Sequence, residues 1–269
     1  MPFVIVNKLK IYYEVHGKGP RLLYIGGTGG DLRRSPTVFD APLTDHFEVL
    51  SLDQRGMGQT EKPDEPYTMA TYAADVKALL DSLGWGSCML MGYSFGGMVA
   101  QEVALNEPQR FTRLVLSATS SGGDGGASFP LHTISQLSLR ERATMMVHLS
   151  DVRRGDEWIK QNPRMHEIMV EQTMAILNFS EDQEGFERGA NHQLEARKHH
   201  NTYARLPQLP MPTLVVGGNH DEIAPASSVT ALAERVPGAQ LQFFDGGHMF
   251  HLQDPSAWPA IITFLKKQS

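Results

Sequence analysis

The sequence predicts an α/β architecture: a mostly parallel, doubly wound sheet flanked by helices, with a helical segment inserted late in the sheet. Three observations predict it. Short strand-like runs recur along the chain, and several are apolar throughout rather than alternating, as strands covered on both faces are. Amphipathic helical stretches lie between them, so strand and helix alternate. The alternation breaks once, over residues 126–204, and then resumes.

The strand-like runs are KIYYEV (10–15), RLLYIG (21–26), FEVLSLD (47–53), CMLM (88–91), RLVLSA (113–118), TLVVGG (213–218) and LQFFDGG (241–247). Between the third and fourth, Met69, Tyr72, Val76, Leu79, Leu80 and Leu83 recur at helical spacing. Thr68 is placed to cap that helix and Gly84 to stop it. After the fourth run a second helix carries Val99, Ala100, Val103 and Ala104 on one stripe, and Pro108 ends it. A glycine-rich stretch, TSSGGDGGASFP, follows the fifth run, and residues 131–204 then read as helices rich in Met, His, Glu and Arg. A helical insertion between two strands of one sheet is the economical reading. It gives a core of 1–125 and 205–269 with a lid of 126–204, because a separate helical domain would leave each flanking strand set without a complete sheet.

Composition narrows the function. The 269 residues carry a formal net charge of −6 and no run of Lys or Arg, which argues against a nucleic-acid or anionic-membrane partner. Cys88 is the sole cysteine, so no intrachain disulfide forms and no Cys-based metal cluster can be built. The N-terminal stretch lacks the basic and long apolar regions of a signal peptide, and no apolar run reaches membrane-spanning length. The expectation is a cytoplasmic protein. Nothing in the composition bears on oligomeric state.

Gly92-Tyr93-Ser94-Phe95-Gly96 fits G-x-S-x-G, with an apolar strand before it and an amphipathic helix after it. A serine at the apex of so sharp a strand-to-helix turn needs neighbours without side chains two residues away on each side. The helix that follows aims its free N–H groups and dipole at the same spot, where developing negative charge is favoured. A serine hydroxyl becomes a strong nucleophile only when a base takes its proton, and a histidine base needs a carboxylate to fix its tautomer. Downstream, Asp221 follows the sixth run and His248 the seventh, both at strand ends where open α/β sheets gather their sites. His251 and His220 rival His248 on residue type, and Glu222 and Asp124 rival Asp221. His248 alone directly follows a Gly-Gly turn.

Taken together, GGTGGD after the second run, DQRGMGQT after the third, the G-x-S-x-G turn, GNHDEIAP and GGHMF resemble the α/β-hydrolase superfamily. The look is that of its lidded esterase and lactonase branch, of the enol-lactone hydrolase kind, over nearly all the chain outside the lid. The resemblance implies Ser94 as nucleophile, Asp221 as acid and His248 as base, with no cofactor and no metal. It implies an oxyanion hole from the N–H groups of Phe95 and Thr28, with Gly27 the one-residue alternative. Many relatives begin that loop with His-Gly where this chain has Gly26-Gly27, which leaves the loop's anchoring open. Asp53 and Arg55 of DQRGMGQT read as ties between loops rather than as catalytic groups.

The implied reaction is hydrolysis of a small to medium, largely apolar ester or lactone through an acyl-enzyme. Phe95 beside the serine and the methionines of the lid suggest that substrate. A strongly anionic one would want positive charge near the site. The lid supplies Arg140, Arg142, Arg153, Arg154, Arg197 and Lys198, whose facing periodicity leaves open. His132, His148, His166, His192, His199 and His200 read as solvated helix or loop residues. Alternatives that keep the same three residues are carbon–carbon bond hydrolysis, perhydrolysis, cofactor-free oxygenation, and a ligand receptor with slow turnover.

Overall fold

The computed structural model describes residues 2–267. Eight strands form one sheet: β1 (Phe3–Val6), β2 (Leu9–His16), β3 (Arg21–Ile25), β4 (Glu48–Leu52), β5 (Cys88–Tyr93), β6 (Phe111–Ser117), β7 (Thr213–Gly218) and β8 (Gln240–Phe244). Their order is β1-β2-β4-β3-β5-β6-β7-β8. β1 pairs antiparallel with β2, and β2 with β4; every later pairing is parallel.

β1 is an addition to the strands read from the sequence. It is only four residues long, and its turn to β2 is built from Asn7 and Lys8 at φ 50° and 61°. Hairpin turns that put both central residues at positive φ are usually marked by Gly, and Asn-Lys hides the signal.

The helices are α1 (Met69–Ser82), α2 (Phe95–Asn106), α3 (Leu139–Ser150), α4 (Asp156–Gln161), α5 (Pro163–Leu177), α6 (Phe186–Lys198), α7 (Ala226–Arg235), α8 (Phe250–Gln253) and α9 (Ala257–Lys266). Thr68 Oγ1 accepts from Thr71 N–H to cap α1, and Gly84 takes up φ 65° just beyond its end.

Burial on both faces explains the apolar strands. On β3, Leu23 and Ile25 pack with residues of α1, α2 and α7, while Leu22 points the other way, into a layer with Leu43, Phe47 and α9. β4, β6 and β7 divide their residues in the same manner. The period-2 geometry of a strand delivers alternate side chains to the two layers, so a fully covered strand loses its polar positions.

α3 to α6 lie between β6 and β7 in the chain, as the break in alternation suggested. Ala143 and Val147 of α3 pack against Val170 of α5 in a small cluster of their own. Among the described residues no helix is long and apolar enough to cross a membrane. The C-terminal ends of the parallel strands all open on one edge, and the loops of that edge carry the site.

Candidate active site

Ser94 sits between β5 and α2 at φ 53°, ψ −120°. For a residue with a Cβ such a conformation costs about 1–3 kcal/mol, and it persists where its surroundings fix it. Here Ser94 N–H donates to Ser117 O at 2.8 Å, and Ser94 O accepts from Thr119 Oγ1 at 2.8 Å and Gly97 N at 2.9 Å. The flanking glycines are required by space. A Cβ on Gly92 would lie 2.4 Å from Gly96 O, and one on Gly96 would lie 2.1 Å from Ile25 O.

The Ser94 hydroxyl faces His248, donating to Nε2 at 3.0 Å. On the other side of the ring Nδ1 meets Asp221 Oδ2 at 2.7 Å. The carboxylate acceptor assigns the proton to Nδ1 and leaves the Nε2 lone pair toward the hydroxyl. Asp221 Oδ1 accepts from Ile223 N at 2.8 Å and Ala224 N at 3.0 Å. Its charge is therefore held in a buried place by fixed donors. All three residues are buried.

The rivals lie elsewhere. Asp124 and Glu222 are exposed. His220 faces Asp245 at 3.3 Å. His251 packs edge-on to Tyr93 and Trp258, and burial pushes its pKa down to about 4.

The loop after β3 passes over the serine: a Cβ on Gly27 would lie 3.3 Å from Ser94 Cβ. Gly27 and Thr28 thus sit on one side of Ser94, and Phe95 opens α2 on the other. As the first residue of its helix, Phe95 has an N–H without an intrahelical acceptor. Its ring does not line the site. It is fully buried, edge-on to Tyr72 with centroids 5.1 Å apart, so it contributes nothing to an apolar substrate surface.

The loop's anchoring, left open by the missing His-Gly, comes from two glutamines. Gln54 Nε2 donates to Gly26 O at 2.9 Å, and Gln193 Oε1, on α6, accepts from Gly29 N at 2.8 Å. Farther along, Asp31 Oδ2 accepts from Ser180 Oγ at 2.7 Å, a second tie to the inserted segment. Sequence reading missed both glutamines, and no local pattern marks them.

The histidine loop is held from the inserted segment as well. At the end of α3, Ser150 O accepts from His248 N at 2.6 Å and Leu149 O accepts from Glu222 N at 3.0 Å; just beyond it, Val152 N donates to His220 O at 3.0 Å. Asp151 Oδ2 accepts from Gln253 Nε2, and Gln253 Oε1 accepts from Gly247 N at 2.6 Å. Tyr93 Oη donates to His248 O at 3.2 Å.

A family comparison bears on this arrangement. The sequence pattern described as "Alpha/beta hydrolase family" matches residues 15–259. The chain belongs to the alpha/beta hydrolase family. It is an enzyme of that hydrolase type. Among its relatives, a poly(3-hydroxyalkanoate) depolymerase of Ectopseudomonas oleovorans is 28% identical over 250 residues, covering 92% of this chain and 84% of the relative. A putative carbamate hydrolase RutD of Azorhizobium caulinodans is 25% identical over 264 residues, covering 97% of each. The enol-lactonase of Burkholderia xenovorans LB400 superimposes with a TM-score of 0.79 at 22% identity, over 99% of this chain and 100% of that one, a likeness of fold.

Within this alpha/beta hydrolase the DQRGMGQT stretch ties loops together. Asp53 accepts from Leu32 N at 2.7 Å and Gln59 N at 2.8 Å, and burial pushes its pKa up to about 6. Arg55 is buried against Asp75 at 2.7 and 3.0 Å and reaches Glu65 at 2.6 Å. Of the histidines expected to be solvated, His200 is instead buried, because its segment pairs with the glycine-rich stretch after β6 through Thr202 N to Ser121 O and an Asn201–Gly122 bridge. Arg197 is buried too.

Proposed function

We propose that this hydrolase cleaves a carboxylic ester or lactone through an acyl-enzyme formed on Ser94. The observation that carries the reading is the unbroken run of hydrogen bonds from Ser94 Oγ through the His248 ring to Asp221 Oδ2. His248 removes the hydroxyl proton as Ser94 Oγ attacks the carbonyl carbon, and Asp221 stabilises the imidazolium that forms. The N–H groups of Phe95 and Thr28 receive the oxyanion, reinforced by the N-terminal dipole of α2. His248 then protonates the leaving alkoxide. It next takes a proton from water, which attacks the acyl carbon, and returns that proton to Ser94 Oγ as the acyl–Oγ bond breaks and the acid is released.

Residues 126–204 act as the lid, and its buried face roofs the edge that carries Ser94. The depolymerase relative supports an acyl–oxygen bond as the target.

The test is turnover of p-nitrophenyl esters and of lactones of graded ring size by the purified protein. Ser94→Ala should lower kcat by about 10⁴- to 10⁶-fold, and a fluorophosphonate should label Ser94 in the parent protein. Undiminished turnover by Ser94→Ala would overturn the reading.

A further inference from the structure

A cavity lies beside the loop that carries Asp221. Its volume is about 80 Å³, and Met98, Ser120, Phe129, Leu131, Arg197 and His200 are among its lining residues. No acidic side chain lines it, while Lys198 and His132 add to its basic character. The Arg197 guanidinium enters from the end of α6 and is only 7% exposed. Its Nη2 donates to Ser128 Oγ at 2.7 Å and Phe129 O at 3.2 Å, and Nε reaches the same hydroxyl at 3.3 Å. Arg197 Nη1 is buried with no hydrogen-bond partner among the described residues. Ser120 Oγ is in the same condition in a residue that is 0% exposed, while the His200 ring, 6% exposed, has the Ser120 main chain as its polar neighbour.

A buried cation whose remaining N–H groups meet neither a carboxylate nor a carbonyl is expensive. Asp221 lies close enough to favour the charged guanidinium, but its two oxygens are engaged by Ile223, Ala224 and His248. The donors left over are Arg197 Nη1 and the Ser120 hydroxyl, a pair suited to one small oxyanion. At about 10–15 Å³ of such space per water molecule, the cavity has room for several waters or one small carboxylate.

We propose that Arg197 and Ser120, in a cavity walled by His200, form a binding site for a small carboxylate, separate from the Ser94 hydroxyl. The position gives the site purpose. Phe129 N donates to Ile223 O at 2.8 Å on the loop that carries Asp221, and Thr119, next to Ser120, holds Ser94 O. The carboxylate is either a free acid, such as a hydrolysis product, or a second acid group on the substrate. The latter case rests on the proposed ester chemistry and revises the expected apolar substrate to one with an anionic end.

Binding is read first without turnover, by calorimetric titration of the Ser94→Ala protein with sodium acetate and sodium succinate against sodium chloride of equal ionic strength. Saturable carboxylate binding is expected, weakened about tenfold or more in the Ser94→Ala/Arg197→Gln protein and partly restored by Arg197→Lys. Ser94→Ala/Ser120→Ala, a smaller change in a fully buried hydroxyl, should also weaken it and serves if the arginine variant does not fold. Kinetics then separate the sources. A substrate carboxylate predicts that Arg197→Gln lowers kcat/KM for the monomethyl ester of a dicarboxylic acid while sparing the dimethyl ester. A free acid predicts that acetate alters dimethyl ester turnover in the parent protein and not in Arg197→Gln. No saturable binding, or binding equal in the parent, Arg197→Gln and Ser120→Ala backgrounds, would overturn the proposal. Retained binding in a protein whose turnover survives Ser94→Ala would remove the ester chemistry and leave the carboxylate site standing.

Discussion

Gly247→Ala tests whether the inserted segment sets the position of the histidine. The backbone of Gly247 is outside the positive-φ region, so alanine meets no conformational obstacle there. Space is the obstacle: an added Cβ would lie 1.8 Å from Ser150 O and 2.8 Å from Asp151 Cβ. Real Cβ contacts essentially never fall under 3.0 Å, so the two backbones must part by at least 1.2 Å, the difference between 3.0 and 1.8. Ser150 O is also the acceptor for His248 N at 2.6 Å, and this bond is the first that such a separation breaks. Overpacking of this kind costs about 1–3 kcal/mol of stability. A displacement of about 1 Å at a reacting group costs about 10²-fold in rate. The expected result is a protein that still folds, with kcat for a p-nitrophenyl ester reduced about 100-fold and KM little changed. Thermal unfolding confirms the fold, and Gly86→Ala is the control, since an added Cβ there meets nothing within 4 Å. Parent-like kcat in Gly247→Ala would refute the claim that the end of α3 fixes His248.

Other variants probe the remaining ties. Gln193→Leu strands Gly29 N–H beneath the inserted helices. It should cost about 1–3 kcal/mol of stability and reduce kcat/KM for esters, read by chemical denaturation and steady-state rates; an unchanged kcat/KM would free the loop from α6. Ser94→Gly should abolish ester turnover while raising stability by about 0.5–1 kcal/mol, because it removes the positive-φ strain; a loss of stability would refute the strain argument. For Asp53, a folded pKa of about 6 against an ordinary 3.8 means that the folded state binds more protons between those values. Its contribution to stability is therefore present below pH ~4 and declines as pH rises through ~6, by up to about 3 kcal/mol. Urea titrations should show the stability of the parent relative to Asp53→Asn falling between pH 4 and pH 7, and a flat difference would refute the burial argument.

How much was legible follows from where the constraints reside. The G-x-S-x-G turn can be read from five consecutive residues because the steric demand is local: Gly92 and Gly96 clear space for one strained serine. The strands could be read because burial on both faces removes their polar positions, and α1 because Thr68 and Gly84 mark its ends. Asp221 and His248 could be placed by strand ends, although their pairing across 27 residues is a property of the fold. Gln54 and Gln193 were illegible, since each acts through one hydrogen bond to a glycine far away in the chain. The facing of Arg197 and the burial of His200 were illegible for the same reason. α6 is polar on most sides, and what covers its inner face is the glycine-rich stretch after β6, which has no periodicity to read.

These ties change what the inserted segment must be. A roof that only covered the site could be lifted as one body. Here its first long helix ends by accepting from His248 N and Glu222 N, and its last helix accepts from Gly29 N. The loops bearing the proposed base, acid and oxyanion donor are therefore all completed by hydrogen bonds from α3 and α6. Lifting those two helices would take these acceptors from the main-chain N–H groups of His248, Glu222 and Gly29. Access that leaves the machinery assembled must therefore come from the stretch between them. Met165 and Ile168 of α5, with Ile176 at its end and Phe179 beyond it, are exposed there. α3 and α6 are thus tied to the core that carries the proposed site, and on the proposed lid reading substrate entry is expected through the helices that they bracket.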